Sequence, residues 1–231
     1  MGGHLHRPLL PGVGRRRRCA RVGGLLGPIP RRRLCCGLTW ITTGQLDGAR
    51  RRLRDTVDAL RPALDEGMPV VGLEPSCTAV LRHDAAELLD RQTATEVTAA
   101  THTLAELLDR HAPDWTPPDL TGTRVLAQPH CHHHAVLGWD TDRTYLSRAG
   151  VQVSAVGGCC GLAGNFGVER GHHDISVAVA ETALLPAVRA AEPGTILLAD
   201  GFSCRTQLDQ LAGRRGLHLA ELLASRLRTS R

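Results

Sequence analysis

The residues with the clearest chemical capacity are eight cysteines, most of which stand in a repeated pattern. The letters CCGL occur at 35–38 and again at 159–162, and single cysteines stand at 77, 131 and 204. Cysteines that act only as small apolar residues would be scattered through strands and helices, and these are not. Metal or redox chemistry therefore explains the pattern better than packing does.

Thiolates are ligands of Zn²⁺, Cu⁺ and iron–sulfur clusters, and the spacing favours the last of these. The chain contains no C-x2-C pair, although such pairs are typical of zinc sites. Adjacent cysteines do not easily place both sulfurs on one small ion, whereas they can reach different irons of a larger cluster. The sequence therefore predicts a [4Fe–4S] cluster on four thiolates, Cys131, Cys159, Cys160 and Cys204.

Two neighbouring features are less specific. Glycines at 157, 158, 161 and 164 would let backbone N–H groups approach the sulfurs, but an ordinary strand-to-helix turn also explains them. The histidine run HCHHH at 130–134 is a weak metal signal. Hydrogen bonds to cluster sulfurs, or surface exposure, explain these histidines better than direct ligation does.

Four short apolar runs predict buried strands, at 69–73, 124–128, 151–156 and 195–199. Between them apolar residues recur at helical spacing, which predicts an α/β fold with parallel sheets and crossover helices. Each strand ends shortly before a cysteine. Because loops at the carboxyl ends of parallel strands gather at one edge, we expect the four cysteines from 131 to 204 to meet there.

The motifs recur in order, which predicts an internal duplication. The sequence divides into an arginine-rich segment at 1–33, a first repeat at 34–110, a linker rich in proline and turn formers at 111–123, and a second repeat at 124–231. We expect the two repeats to be pseudo-symmetric.

The first repeat lacks a counterpart of Cys131 and of the strand before it. Cys19 is an unreliable substitute for the missing ligand. We therefore expect the first repeat to be truncated at its N-terminal side, and the site of Cys35, Cys36 and Cys77 to be incomplete.

The charge is distributed unevenly. Residues 1–33 hold nine arginines and no acidic residue, so the net charge of +5 leaves residues 34–231 at −4. The basic segment predicts a disordered tail or a misplaced start, and it leaves peripheral membrane association open. The body has no basic face and only 3% aromatic residues, which argues against nucleic-acid binding. No apolar run predicts a transmembrane helix or a signal peptide, so we expect a cytoplasmic protein.

Five ordered motifs carry a resemblance to a known family: CCGLTWITTGQLD, VVGLEPSCTAVLRHD, PHCHHHAVLG, GGCCGLAGNFG and LLADGFSCRTQL. From residue 34 to about 225 the chain resembles the cysteine-rich CCG domain pair of iron–sulfur oxidoreductases. Such domains occur in heterodisulfide reductase, in the iron–sulfur component of glycolate oxidase and, most similar here, at the C-terminus of FAD-linked D-2-hydroxyacid dehydrogenases. The family's repeat often ends in two cysteines three apart, whereas Glu74 and Gly201 hold the earlier position in this chain.

The resemblance implies an electron-transfer module that receives electrons from a flavin after oxidation of a small 2-hydroxyacid, such as lactate or glycolate, and passes them to an acceptor. FAD would belong to a missing domain or a partner subunit, so we expect the chain to be a fragment of a larger enzyme or a separate subunit. Two alternatives stay open: a non-catalytic structural module that binds zinc or a cluster, and a component of a thiol/disulfide reductase.

Overall fold

A computed structural model describes residues 19–22, 25–30 and 34–227, and the side chains of most of these. It divides into two compact units. The first unit holds the described residues through Gly72 together with Val80–Thr116, and the second holds Leu73–Ala79 and the chain from Pro117 onward. The division at Thr116–Pro117 falls within the predicted linker, while the short segment 73–79 belongs to the second unit.

The first unit is mainly helical. An antiparallel hairpin comes first, and a two-stranded parallel sheet pairs Val70 with Thr101. Its elements are β1 (Cys19–Val22), β2 (Leu25–Pro28), α1 (Leu38–Thr42), α2 (Leu46–Asp65), β3 (Val70–Val71), a π-helical turn (Val80–Asp84), α4 (Ala85–Leu88), α5 (Arg91–Ala100), β4 (Thr101–His102) and α6 (Leu104–His111).

Amphipathic spacing and capping explain the helices of this unit. Helix α2 buries one stripe of side chains, Ala49, Leu53, Val57 and Leu60, as its period of apolar residues requires. Helix α6 begins with a capping box in which the Thr103 hydroxyl accepts from the Glu106 backbone and the Glu106 carboxylate accepts from the Thr103 backbone. This exchange satisfies two N–H groups that a helix start otherwise leaves without partners.

The second unit is a four-stranded parallel sheet with helices, in the strand order β6-β5-β7-β8. Its elements are α3 (Pro75–Ala79), β5 (Arg124–Ala127), a π-helical turn (His133–Leu137), α7 (Asp140–Arg148), β6 (Gln152–Ala155), a 3-10 turn (Phe166–Val168), α8 (His173–Thr182), α9 (Leu184–Ala190), β7 (Ile196–Leu198), α10 (Phe202–Ala212), β8 (Gly216–Leu217) and α11 (Leu219–Leu227).

The core of the second unit includes two of the predicted ligands. Cys160 and Cys204 are buried in one cluster with aliphatic residues of the loop after β6, of α9, of β7 and of α10: Leu162, Leu184, Val188, Leu197, Ala199 and Leu208. The cysteine loops are therefore packed against the sheet and its helices rather than attached at the surface.

The α/β fold with parallel sheets is confirmed. Each of the four predicted strands contains an observed strand, β3, β5, β6 and β7. The apolar residues at helical spacing between the third and fourth predicted strands, which run from Ile175 to Val188, are divided between α8 and α9. Strands β4 and β8 have only two residues each, too few to show a period in the sequence.

The predictions for the arginine-rich segment reach beyond the described part of the chain, because residues 1–18, 23–24 and 31–33 lie outside it. Among the helices that the structure describes, none combines the length and the apolar character needed to cross a bilayer.

Truncation of Leu208 tests the core of the second unit. This side chain on α10 is only 1% exposed, so Leu208→Ala should lower the free energy of unfolding by about 2–5 kcal/mol in urea titrations. Phe202 on the same helix is 67% exposed, and Phe202→Ala should change it by no more than about 0.5 kcal/mol. Equal losses in the two variants would contradict the assigned core.

Candidate metal centre

The strand order of the second unit creates a place for a ligand. The chain leaves β5 toward β6 on one side of the sheet, and the later strand β7 pairs with the other side of β5. Open parallel sheets bind ligands at such a reversal, outside the carboxyl ends of the two strands. Cys131 follows β5 and Cys204 lies in the first turn of α10 after β7, so both cysteines belong to this edge.

The thiols of the second repeat are brought together in an unbroken series of contacts. Cys131 shares a hydrogen bond with Cys159, Cys159 shares one with Cys160, and Cys160 shares one with Cys204. The four residues come from three separate loops. The structure therefore assembles the four cysteines that the sequence singles out.

Burial changes across this group of thiols. Cys160 and Cys204 are buried, Cys159 is half-buried and Cys131 is exposed. A group bound here would be enclosed on the side of the core and reachable from solvent at Cys131.

The contacts favour a thiolate at Cys159. Hydrogen bonds from the thiols of Cys131 and Cys160 hold the pKa of Cys159 far below its ordinary value, and the Gly161 N–H, 3.4 Å from the Cys159 sulfur, adds to the effect. The same hydrogen bonds, reinforced by burial, raise the pKa of Cys131 and of Cys160. These directions favour a thiolate at Cys159 flanked by two protonated thiols.

Glycine is required at 161 for two reasons. Its φ of 92° lies in the left-handed region, and a Cβ there would collide with the Ser176 carbonyl oxygen of α8. The loop can approach α8 this closely only without a side chain. Gly161 thus allows a close approach between the loop and the backbone of α8. The Gly161 N–H also points at the Cys159 sulfur, as expected from the sequence.

Two glutamines hold the CCG loop in place, and no motif in the sequence marks either of them. The Gln128 amide, at the end of β5, donates to the Gly158 carbonyl at 3.0 Å. The Gln207 amide on α10 donates to the Cys160 carbonyl at 2.8 Å and contacts the Ser176 hydroxyl at 3.0 Å. Both are buried. They fix the backbone on either side of Cys159 to the loops that carry Cys131 and Cys204.

The histidine run divides between the site, the core and the surface. His130 is buried, and its Nδ1 accepts from the His132 backbone at 3.2 Å and lies 3.9 Å from the Cys131 sulfur. Because Nδ1 accepts a backbone N–H, it carries no proton, and burial lowers the pKa of His130, which also favours a neutral ring. His133 is buried beside Asp142, and His134 is exposed.

His130 also accounts for glycine at 201. A Cβ at Gly201 would collide with the His130 ring, although the backbone φ of −69° suits any residue. The imidazole thus takes the space into which a side chain at position 201 would extend. Gly201 stands where the related CCG repeats often have a cysteine, and in this chain the His130 ring, next to Cys131, occupies the space beside it.

The cysteines assigned to the first repeat are divided between the units. Cys35 and Cys36 lie in the first unit, with Cys35 exposed and Cys36 buried. Cys77 lies on α3 in the second unit, as does Glu74, whose carboxylate accepts from the Phe202 backbone at 2.7 Å. The side chain of Cys19 lies outside the described residues.

The residues of the second unit fit an iron–sulfur cluster. Four thiols converge, two of them inside the core, and a backbone N–H points at one sulfur. Thiolate ligands, burial and hydrogen bonds to sulfur are the features by which proteins hold such clusters and set their potentials.

Comparison with known proteins gives relatives of low identity. The chain is 27% identical over 202 residues to one of the subunits of the anaerobic glycerol-3-phosphate dehydrogenase of Escherichia coli K12, a match that covers 84% of this chain and 49% of the relative. It is also 27% identical to the D-2-hydroxyglutarate dehydrogenases of Pseudomonas putida, over 71% of the chain and 16% of that protein, and of E. coli, over 78% and 18%. The resemblance to CCG-type iron–sulfur oxidoreductases is confirmed.

The matches cover only part of each relative. The chain spans about half the length of the relative from glycerol-3-phosphate dehydrogenase and less than a fifth of the two hydroxyglutarate dehydrogenases. No protein-family model matches the chain.

The pH dependence of alkylation tests the charge at Cys159. In metal-free protein this thiol should react with iodoacetamide at a rate that is nearly constant from pH 5 to 8, because it is already a thiolate throughout that range. An ordinary thiol reacts about tenfold faster for each pH unit below its pKa. Peptide mapping by mass spectrometry follows the site, and a tenfold rise per unit at Cys159 would contradict the arrangement.

Paired glycine substitutions test the geometry of the loop. Gly164 has a φ of 69° and open space around its Cα, so Gly164→Ala should cost about 1–2 kcal/mol of unfolding free energy. Gly161→Ala adds the collision with Ser176 and should cost about 2–5 kcal/mol. Chemical denaturation measures both, and equal costs would mean that the close approach to α8 does not constrain the loop.

Proposed function

We propose that this chain is the iron–sulfur electron-transfer module of a flavin-dependent oxidoreductase that acts on small 2-hydroxyacids. The observation that carries the proposal is the convergence of the thiols of Cys131, Cys159, Cys160 and Cys204 at the strand reversal of the second unit. The chain would be one component of a larger enzyme or a separate subunit.

The relatives support an oxidoreductase role. All three are dehydrogenases or dehydrogenase subunits by name, and two act on a D-2-hydroxyacid, hydroxyglutarate. The remaining relative is named as a subunit of a glycerol-3-phosphate dehydrogenase. The 2-hydroxyacid class therefore has support from two of the relatives, and the redox class from all of them.

Four residues would hold the cluster, and their surroundings would tune it. Cys131, Cys159, Cys160 and Cys204 would be the ligands, and a [4Fe–4S] cluster on them would supply one-electron redox chemistry. Gly161 donates its N–H toward the Cys159 sulfur, which stabilises negative charge there. The core packing of Cys160 and Cys204 excludes water from one side.

Exposure at Cys131 gives the site a contact surface for electron exchange. We propose a flavin-containing domain or subunit as the donor, and a separate acceptor for the electrons. A cytoplasmic location is part of the proposal, because thiols stay reduced there until they bind iron. Nucleic acid is not among the proposed partners.

We propose a single cluster in this chain, in the second unit. The first repeat offers only Cys35, Cys36 and Cys77, and Cys77 lies in a different unit from the other two. Three thiols fall short of the four that a [4Fe–4S] cluster takes.

The stabilised thiolate at Cys159 favours a second candidate function. A thiolate flanked by two thiols could attack a disulfide substrate, form a mixed disulfide with Cys159, and release product when Cys131 or Cys160 attacks that bond. The chain would then be a component of a thiol/disulfide reductase, with electrons returned by an external dithiol.

Iron analysis tests the primary proposal. Full-length protein reconstituted anaerobically with iron and sulfide should be brown and hold about four irons and four sulfides per chain. Cys159→Ser and Cys204→Ser should lower the iron content to about one or less. Cys35→Ser is the matched control and should leave it unchanged.

Electron transfer needs its own measurement. Photoreduced FMN, added anaerobically, should bleach the visible absorption of the reconstituted protein, and oxygen-free ferricyanide should restore it. Colourless protein that binds one zinc through its thiols would overturn the redox proposal in favour of a structural module. Disulfide reduction that persists in iron-free protein and is lost in Cys159→Ser would instead support the thiol reductase.

A further inference from the structure

A second group of ligand-type side chains meets in the second unit, apart from the thiols. His133 lies in the π-helical turn after β5, Asp142 lies in α7, and Asp200 directly follows β7. Each offers one ligand atom, and these three atoms lie within 4.8 Å of one another. The side chains of His133 and Asp142 are 3% exposed and that of Asp200 is 11% exposed.

The contact between His133 and Asp142 has the spacing of neighbouring metal ligands. The His133 Nε2 atom lies 3.2 Å from the Asp142 Oδ2 atom. This Oδ2 atom accepts no hydrogen bond from the residues that the structure describes. With bonds of about 2.1 Å, adjacent ligands around a metal ion lie about 3.0–3.4 Å apart.

Two carboxylates in this group need a compensating charge. Buried charges in proteins are paired or coordinate metal ions, because an isolated one is costly. Burial raises the pKa of Asp200, and the nearby Asp142 carboxylate acts in the same direction, so two ionised carboxylates here call for a cation beside them. The Asp200 Oδ1 atom accepts from the Leu219 backbone at 2.7 Å, which satisfies part of one carboxylate only.

His218 does not supply that charge. Its Nδ1 accepts from the Ala220 backbone at 2.9 Å, and its Nε2 donates to the Leu73 carbonyl at 2.8 Å. A ring that accepts at one nitrogen and donates at the other is neutral. His218 therefore lies 3.6 Å from the Asp200 carboxylate without a positive charge or a lone pair to offer.

We propose that His133, Asp142 and Asp200 bind a divalent metal ion, of which Zn²⁺ fits best. One imidazole and two carboxylates form a nitrogen and oxygen ligand set, and zinc binds such sets more tightly than manganese or iron do. Three protein ligands leave room for water. The proposal does not depend on the iron–sulfur function, because none of its ligands is a cysteine.

The ion would stabilise the two loops that carry Cys131 and Cys204. His133 is two residues from Cys131, and Asp200 is four residues from Cys204. An ion shared by the two would tie the loop after β5 to the loop after β7, on either side of the strand reversal. Its loss should therefore lower the stability of the unit and leave the thiols less well ordered.

X-ray absorption at the zinc edge tests the site in the full chain once its thiols are removed. A variant with serine at every cysteine that keeps the circular dichroism spectrum of the wild type, depleted of metal by a chelator and reloaded with one equivalent of Zn²⁺, should show a first shell of nitrogen and oxygen only. Failure to retain zinc through gel filtration would overturn the proposal.

A substitution series then assigns the ligands. In this cysteine-free protein, Asp142→Asn and Asp200→Asn should each weaken Zn²⁺ binding at least tenfold by isothermal titration. Asp174→Asn, at a fully exposed position, is the matched control and should bind as the cysteine-free parent does. Zinc binding that is equal in all four proteins would overturn the assignment. Iron content is measured in a separate experiment, so a failure of the iron–sulfur proposal would leave the zinc result unaffected.

Discussion

The structure of the second unit depends on one constraint, the reversal of strand order between β5 and β7. Two loops that are far apart in sequence must emerge side by side there, and the CCG loop after β6 lies against both through Gln128 and Gln207. A group of four thiols from three loops can form only because the sheet fixes these loops. The helices that cover the sheet supply the apolar side chains around Cys160 and Cys204.

Much of this arrangement could be predicted from the sequence because its signals are local. Strands β5, β6 and β7 are short apolar runs, each followed by a cysteine, and parallel topology then requires those cysteines to share an edge. The membership of Cys77 in the second unit could not be predicted, because it depends on the contacts of α3 rather than on its neighbours in sequence. The same holds for Gln128 and Gln207, which look like ordinary polar residues until the fold places them against the loop.

The histidine run shows how composition alone misleads. Five consecutive residues with four histidines look like one metal-binding tract, yet the structure gives them different surroundings. His130 packs against Gly201 and Cys131, His133 against Asp142, and His134 faces solvent. The turn that follows β5 rotates successive side chains in different directions, so a run of identical residues does not make a single site.

Gly201 and His130 together explain how the chain tolerates the absence of a second cysteine in the loop after β7. The space beside Gly201 is filled by a neutral imidazole next to Cys131. A neutral ring adds no negative charge, whereas a further thiolate would add one. Reduction potentials of iron–sulfur clusters rise as the net negative charge around them falls. In the proposed site, histidine at this place would therefore favour a more easily reduced cluster than an additional cysteine would.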